Sequence, residues 1–208
     1  PAGISDVDTD NIFFDYRVKA QDGYDKLTVL IQFRNGGPEE DAITLEPPAK
    51  IELDGEVFPA DSSLRTGTFY EMHKPIAEFG GKHQIVFTGF DKRTFTEAFT
   101  FTPLVLEAGF SETMSRENFA LQVSGPGEGQ AVRVVLTDTS FFGDGINKLV
   151  AVHAGRLELT SEELAAVANG PVQLELSMES EKDVDEGTAA GGRLYISYVL
   201  RRQFMLTD

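Results

Sequence analysis

Between Asp91 and Pro103 the chain reads DKRTFTEAFTFTP, and this period of two constrains the fold more than any other feature. Successive side chains of an extended strand point to opposite faces. Phe95, Phe99 and Phe101 therefore share one face with Glu97, while Thr94, Thr96, Ala98, Thr100 and Thr102 share the other. Threonine is β-branched, which favours the extended backbone, and its hydroxyl tolerates water. The segment predicts a strand with phenylalanines toward a core and threonines toward solvent. Pro103 ends it, because proline has no amide to give to a ladder.

The same grammar recurs on both sides. Ile12, Phe14, Tyr16 and Val18 alternate with Phe13, Asp15, Arg17 and Lys19, and Leu27, Val29, Ile31 and Phe33 alternate with Thr28, Leu30, Gln32 and Arg34. Asp54-Gly55 inside IELDGEVF is a hairpin signal, since a type I′ turn needs positive φ at both central residues. Six or seven short strands before Pro103 predict a sandwich of about 100 residues. The pattern restarts in LVLEAGF and runs through AVRVVLTD, KLVAVHA and VQLELSM to RLYISYVLRRQFMLTD. One helix interrupts it, over about 161–168. Thr160 and Glu163 have capping-box spacing, and Asn169-Gly170-Pro171 is a stop. The last segment would span about 50 Å as a single strand, so a bend is expected near Arg201-Arg202, where arginine breaks the apolar face.

The expected architecture is all-β: two tandem immunoglobulin-like β-sandwiches over 1–103 and 104–208, with one short helix in the second. TPLVLEAGF joins them without a Gly/Ser tract, which predicts a stiff joint. The Gly80-Gly81-Lys82-His83 corner leading into IVFTGF, the terminal FTFTP and the closing GGRLYISYVL carry a resemblance. They resemble the tandem immunoglobulin-like modules of exported or lipid-anchored bacterial surface proteins. The resemblance spans most of the chain at the level of fold. It implies adhesion, assembly or spacing roles and attaches no role to any residue. The Cys…Trp…Cys core of antibody domains is absent.

Charge narrows the partners. Of 208 residues, 34 are acidic and 18 basic, for a formal net charge of −16. Up to Pro103 there are 18 acidic and 10 basic residues, so the excess is shared evenly by the two halves. A field of this sign repels phosphate backbones and anionic headgroups, which argues against nucleic-acid and membrane-surface binding. With no cysteine, a disulfide framework, a thiol nucleophile and a thiolate metal site are excluded. No run approaches the roughly 18–20 apolar residues that cross a bilayer as a helix, so direct membrane insertion is not expected. An extracytoplasmic location, periplasm or cell surface, is expected, with a signal peptide or lipid-anchor cysteine upstream of Pro1 compatible with it.

Candidate chemistry is sparse. Asp6, Asp8 and Asp10 are spaced like the start of a calcium loop, but an EF-hand needs Gly at the sixth position and Glu at the twelfth. Asn11 and Arg17 stand there, so an EF-hand is excluded and a simpler Ca²⁺ site is the metal candidate. Glu39–Asp41 and Glu181–Glu186 are acidic loop clusters. His73, His83 and His153 have no ligand spacing. GPGEGQ (Gly125–Gln130) lies between two strands, whereas a phosphate loop opens a helix. Two carboxylates about 5–10 Å apart would suit a glycosidase, and sequence singles out no such pair. Phe141 and Phe142 in TSFFGDGIN cannot both face the core of a regular strand, so the pair either packs at the domain junction or offers a partner anchor. The leading reading is a non-enzymatic extracytoplasmic binding or structural module for a protein or surface polymer, using no cofactor. One alternative is a calcium-dependent adhesin or carbohydrate-binding module, and a second is a hydrolase using paired carboxylates.

Overall fold

A computed structural model describes residues 7–63, 67–107, 110–139 and 145–208. The first half forms β1 (Ile12–Gln21), β2 (Lys26–Asn35), β3 (Lys50–Leu53), β4 (Glu56–Val57), β5 (Ala60–Ser63), β6 (Gly67–Pro75), β7 (Gly81–Thr88) and β8 (Thr94–Phe101). The second forms β9 (Val105–Leu106), β10 (Thr113–Ser115), β11 (Ala120–Ser124), β12 (Ala131–Asp138), β13 (Ile146–Ala151), β14 (Arg156–Glu158), β15 (Gly170–Asp183) and β16 (Gly192–Thr207). The fold is all-β. Among the described residues α1 (Ser161–Leu164) is the one α-helix.

The Thr/Phe stretch is β8. Glu97, Phe99 and Phe101 are buried, while Thr94, Ala98 and Thr100 are exposed. Asp54 and Gly55 have φ of 50° and 84°, which closes the hairpin of β3 and β4. Both halves of the capping box form: Thr160 Oγ1 accepts from the Glu163 amide at 3.2 Å, and Glu163 Oε2 accepts from the Thr160 amide at 2.9 Å. The helix is one turn, shorter than 161–168. Past Leu164 the turn tightens to i→i−3 bonds as far as Val167, and the Arg116 guanidinium donates to the carbonyls of Leu164 and Val167.

The chain divides into two compact units. The first runs to Ala20 and then takes Tyr24–Phe101 and Ser180–Ile196; the second holds Gln21–Gly23, Thr102–Glu179 and Ser197–Asp208. The first unit's long segment ends at Phe101. Residues 180–196, however, return to the first unit, so the units are not simply successive.

In the first unit, β1, β2, β6 and β5 form a sheet with the adjoining ends of β16 and β15, and β4, β3, β7 and β8 form another. β1 and β2 are antiparallel, with Phe14 opposite Phe33 and Val18 opposite Val29. Their inward rings meet those of the other sheet. Phe33 lies 4.7 Å from Phe87 and Phe14 lies 5.1 Å from Phe87, centroid to centroid, within the usual range for attractive aromatic pairs.

In the second unit, β13, β12, β15 and β16 form one sheet and β14, β11 and β9 another, with β10 pairing in parallel with the end of β16. Leu121, Val123, Val134, Leu136, Leu174 and Leu176 are buried. The Gly125–Gln130 loop joins β11 to β12, which lie in different sheets, so it is an arch between layers. β16 is assigned as strand without a break at Arg201-Arg202. Arg202 pairs there with Asp22 at 2.6 Å.

Candidate binding site

The hairpin end of β15 and β16, residues 180–196, meets two nearly inaccessible carboxylates within the first unit. Asp15 is on the face of β1 opposite Phe14 and Tyr16, and it is 1% exposed. Arg17, two residues along the same face, donates to it through Nε at 3.0 Å and Nη2 at 2.7 Å. Arg193 on β16 donates through Nε and Nη2, each at 3.1 Å. Two guanidinium forks thus grip one carboxylate, each bidentate. Burial by itself raises the Asp15 carboxyl, but the hydrogen bonds from Arg17 and Arg193 outweigh it and hold the group below the ordinary carboxylate range. Gly192 beside this cluster is required by close approach. A Cβ there would stand 2.7 Å from Phe14 Cβ and 2.9 Å from the Phe14 carbonyl.

Glu97 sits among the phenylalanines of β8 and is also 1% exposed. Lys182 Nζ lies 2.7 Å from its Oε1, and the Asp185 amide donates to Oε2 at 2.6 Å. Lys182 is shared with Asp185 at 2.9 Å. The Glu97 carboxylate, and then the hydrogen bond to Asp185, raise the lysine pKa against the opposing effect of burial. Burial, with a smaller contribution from the Glu97 charge, pushes the Tyr16 phenol well above its ordinary value. Glu186 reaches β8 as well and accepts from the Thr96 amide at 2.7 Å. The loop after β15 is therefore fastened to β8 through both side-chain and main-chain groups.

Two concavities flank this hairpin in the first unit. One, of about 500 Å³, is lined by Phe13, Pro38, Glu181, Asp183, Thr188 and Arg193 together with loop glycines. The other, of about 350 Å³, runs beside β8, with Phe99, Leu194 and Ile196 as apolar lining and Ala98, Thr100 and Lys182 around them. β8 is the last strand of its sheet. The Asp15 cluster is charged and saturated, so it offers no proton for general acid work. Along β8, Ala98 and Thr100 are exposed.

The residues singled out from sequence are scattered. Asp8 Oδ1 accepts from the Asp10 amide at 3.0 Å and caps a short 3-10 turn. Asp10 pairs with Arg93 at 2.9 Å, and Arg93 Nε holds Asp91 at 2.5 Å. Asp6, Phe141 and Phe142 lie outside the described residues. Among the described residues no group of three or more His, Asp or Glu is gathered to hold a metal. His73 pairs with Glu71, His83 stacks on Phe79 at 3.8 Å and bonds Asp54, and His153 pairs with Glu128. Sequence reasoning passed over Asp15 and Arg193. Glu97 was visible as the one charge on a phenylalanine face, which is a signature of a buried group with a partner.

No family model and no curated protein matches the chain. Solved structures do. A 1.5-MDa bacterial ice-binding adhesin matches at 10% identity and a TM-score of 0.27, over 95% of this chain and 65% of that one. The tandem Ig repeats of Dlar match at 10% identity and 0.26, over 90% and 97%. SGBP-B from a Bacteroides ovatus mixed-linkage glucan utilization locus, in complex with a mixed-linkage heptasaccharide, matches at 10% identity and 0.25, over 95% and 60%. This chain spans less than two thirds of the adhesin and of the glucan-locus protein. The likeness to immunoglobulin-like repeats and surface adhesins is one of fold alone and identifies no family. Among the described residues no helix is long and apolar enough to cross a membrane.

Proposed function

We propose that this chain is a non-enzymatic, extracytoplasmic binding module that engages a protein or surface polymer at the β15–β16 end of its first unit. One observation carries the reading. The two buried carboxylates at that end are paired with cations and, at Glu97, with a main-chain amide, whereas Ala98 and Thr100 on the adjoining strand and the apolar groove beside them face solvent. Clamped carboxylates make a stiff platform, and a stiff platform with an open edge suits recognition. The acidic exterior, −16 over 208 residues, keeps nucleic acid and anionic lipid away. The test immobilises the intact chain and passes envelope extract over it. Saturable retention of one component, undiminished by a chelator, is expected. Robust turnover of a glycoside, ester or peptide substrate, abolished by Glu97→Gln or Asp15→Asn, would overturn it.

A further inference from the structure

The inference concerns the kind of partner and rests on the binding-module reading above. β8 pairs with β7 along its whole length, from Gly81 opposite Phe101 to Thr88 opposite Thr94. Its other side has no strand among the described residues. Main-chain groups of an antiparallel strand point alternately to its two neighbours. The Thr96 amide is taken on the outer side by Glu186, so the outward set is Thr94, Thr96, Ala98 and Thr100. A long open edge invites pairing, and proteins usually block it. Here the block is partial. The Glu186 carboxylate stands in for a strand carbonyl at Thr96, and Ala98 and Thr100 remain exposed beyond it.

Across the groove runs a second open edge. β12 pairs with β15 only as far as Ser177, and the five residues from Glu179 to Asp183 are exposed. Within the first unit, Ser180 and Lys182 of this tip face the same concavity as Ala98 and Thr100, with Leu194, Ile196 and Phe99 between them. An alternating peptide laid along β8 would place every second side chain on that apolar lining and direct the others to water. We infer that this groove accepts an extended, cationic peptide segment of a partner protein as an added strand on β8, paired at Ala98 and Thr100. Charge selects the sign. Glu181 and Asp183 line the other concavity, but at β8 itself Glu97, Asp185 and Glu186 set three carboxylates against Lys182, which is committed to Glu97 and Asp185. The same charge disfavours β8 of a second copy, which would bring one −16 chain against another.

The probe is a labelled nine-residue peptide of alternating valine and lysine, titrated into the intact chain and followed by fluorescence anisotropy. Saturable binding is expected, weakened at least about tenfold when glutamate replaces lysine in the peptide. Amide exchange gives a signature that nonspecific attraction would not. Ala98 and Thr100 should gain protection with bound peptide, while Glu97 and Phe99, already paired to β7, should not change. Ala98→Pro removes an outward amide without touching the β7 ladder and should weaken binding at least about tenfold. Thr100→Pro repeats the test if the first variant folds poorly. Equal binding of the acidic peptide, uniform protection along β8, or undiminished binding by both proline variants overturns the inference. No peptide binding while the chain still retains an envelope component also overturns it, and leaves the binding-module reading standing.

Discussion

The double-forked carboxylate in the first unit permits a test in which three substitutions have unequal and non-additive costs. Replacing both Arg17 and Arg193 with methionine leaves Asp15, 1% exposed, without a cation. Breaking a buried pair from that side costs about 3–5 kcal/mol, because an uncompensated charge remains in low dielectric. Removing the carboxylate instead, by Asp15→Asn, strands two guanidiniums whose side chains are 33% and 29% exposed. Water reaches them, so the cost falls to about 1–2 kcal/mol. The triple variant should then recover at least about 2 kcal/mol relative to the double methionine variant. Acidification adds a sign. The Asp15 carboxyl is held below its ordinary range in the folded state, so its contribution is complete above about pH 3.9 and is lost as pH falls through the folded value. In the double methionine variant burial alone acts and raises the carboxyl, so acidification favours the folded state. The stability gap between the two proteins is therefore widest near neutrality and narrows toward pH 4. Urea titrations followed by circular dichroism measure it, which suits a chain with no tryptophan. A gap independent of pH, or an Asp15→Asn cost equal to that of the double methionine variant, would refute the reasoning.

Three further outcomes are expected. Gly55→Ala should cost about 1–2 kcal/mol, from positive φ alone, because nothing lies within 4 Å of its Cβ position; Gly125→Ala should cost about 3 kcal/mol or more, because its Cβ would lie 2.1 Å from the Pro103 carbonyl. Paired urea midpoints decide between them. Thr160→Ala should remove the capping box and about 1 kcal/mol, read as a fall in Tm of about 2–4 °C by scanning calorimetry. Phe33→Ala should cost about 3–5 kcal/mol in urea, since the ring touches Phe14, Tyr70 and Phe87 in the first core.

What could be read in advance follows the range of each interaction. The faces of β8, the Asp54-Gly55 turn and the Thr160–Glu163 box are set by residues within a few positions, and each forms where local chemistry places it. The end of the helix is not set locally: past Leu164 the amides bond three residues back, and the Ala168 amide goes to Asp138, 30 residues away. The Asp15–Arg193 contact joins residues 178 apart, and Lys182 meets Glu97 across about half that span. Period two tells which face a side chain takes and is silent on which strand lies beside it. The open edge of β8 was illegible for the same reason, since being the last strand of a sheet is a property of pairing.

The return of residues 180–196 to the first unit sets an order of events during synthesis. Ribosomes add about 5–20 residues per second, so the roughly 80 residues between Phe101 and Ser180 separate the two parts of that unit by about 4–16 s. Over this interval β1 and β8 have emerged without Arg193 and Lys182, and Asp15 and Glu97 lack those cations. The nascent chain therefore completes its earliest strands last, and a recombinant fragment ended at Pro103 halts permanently in that unfinished stage.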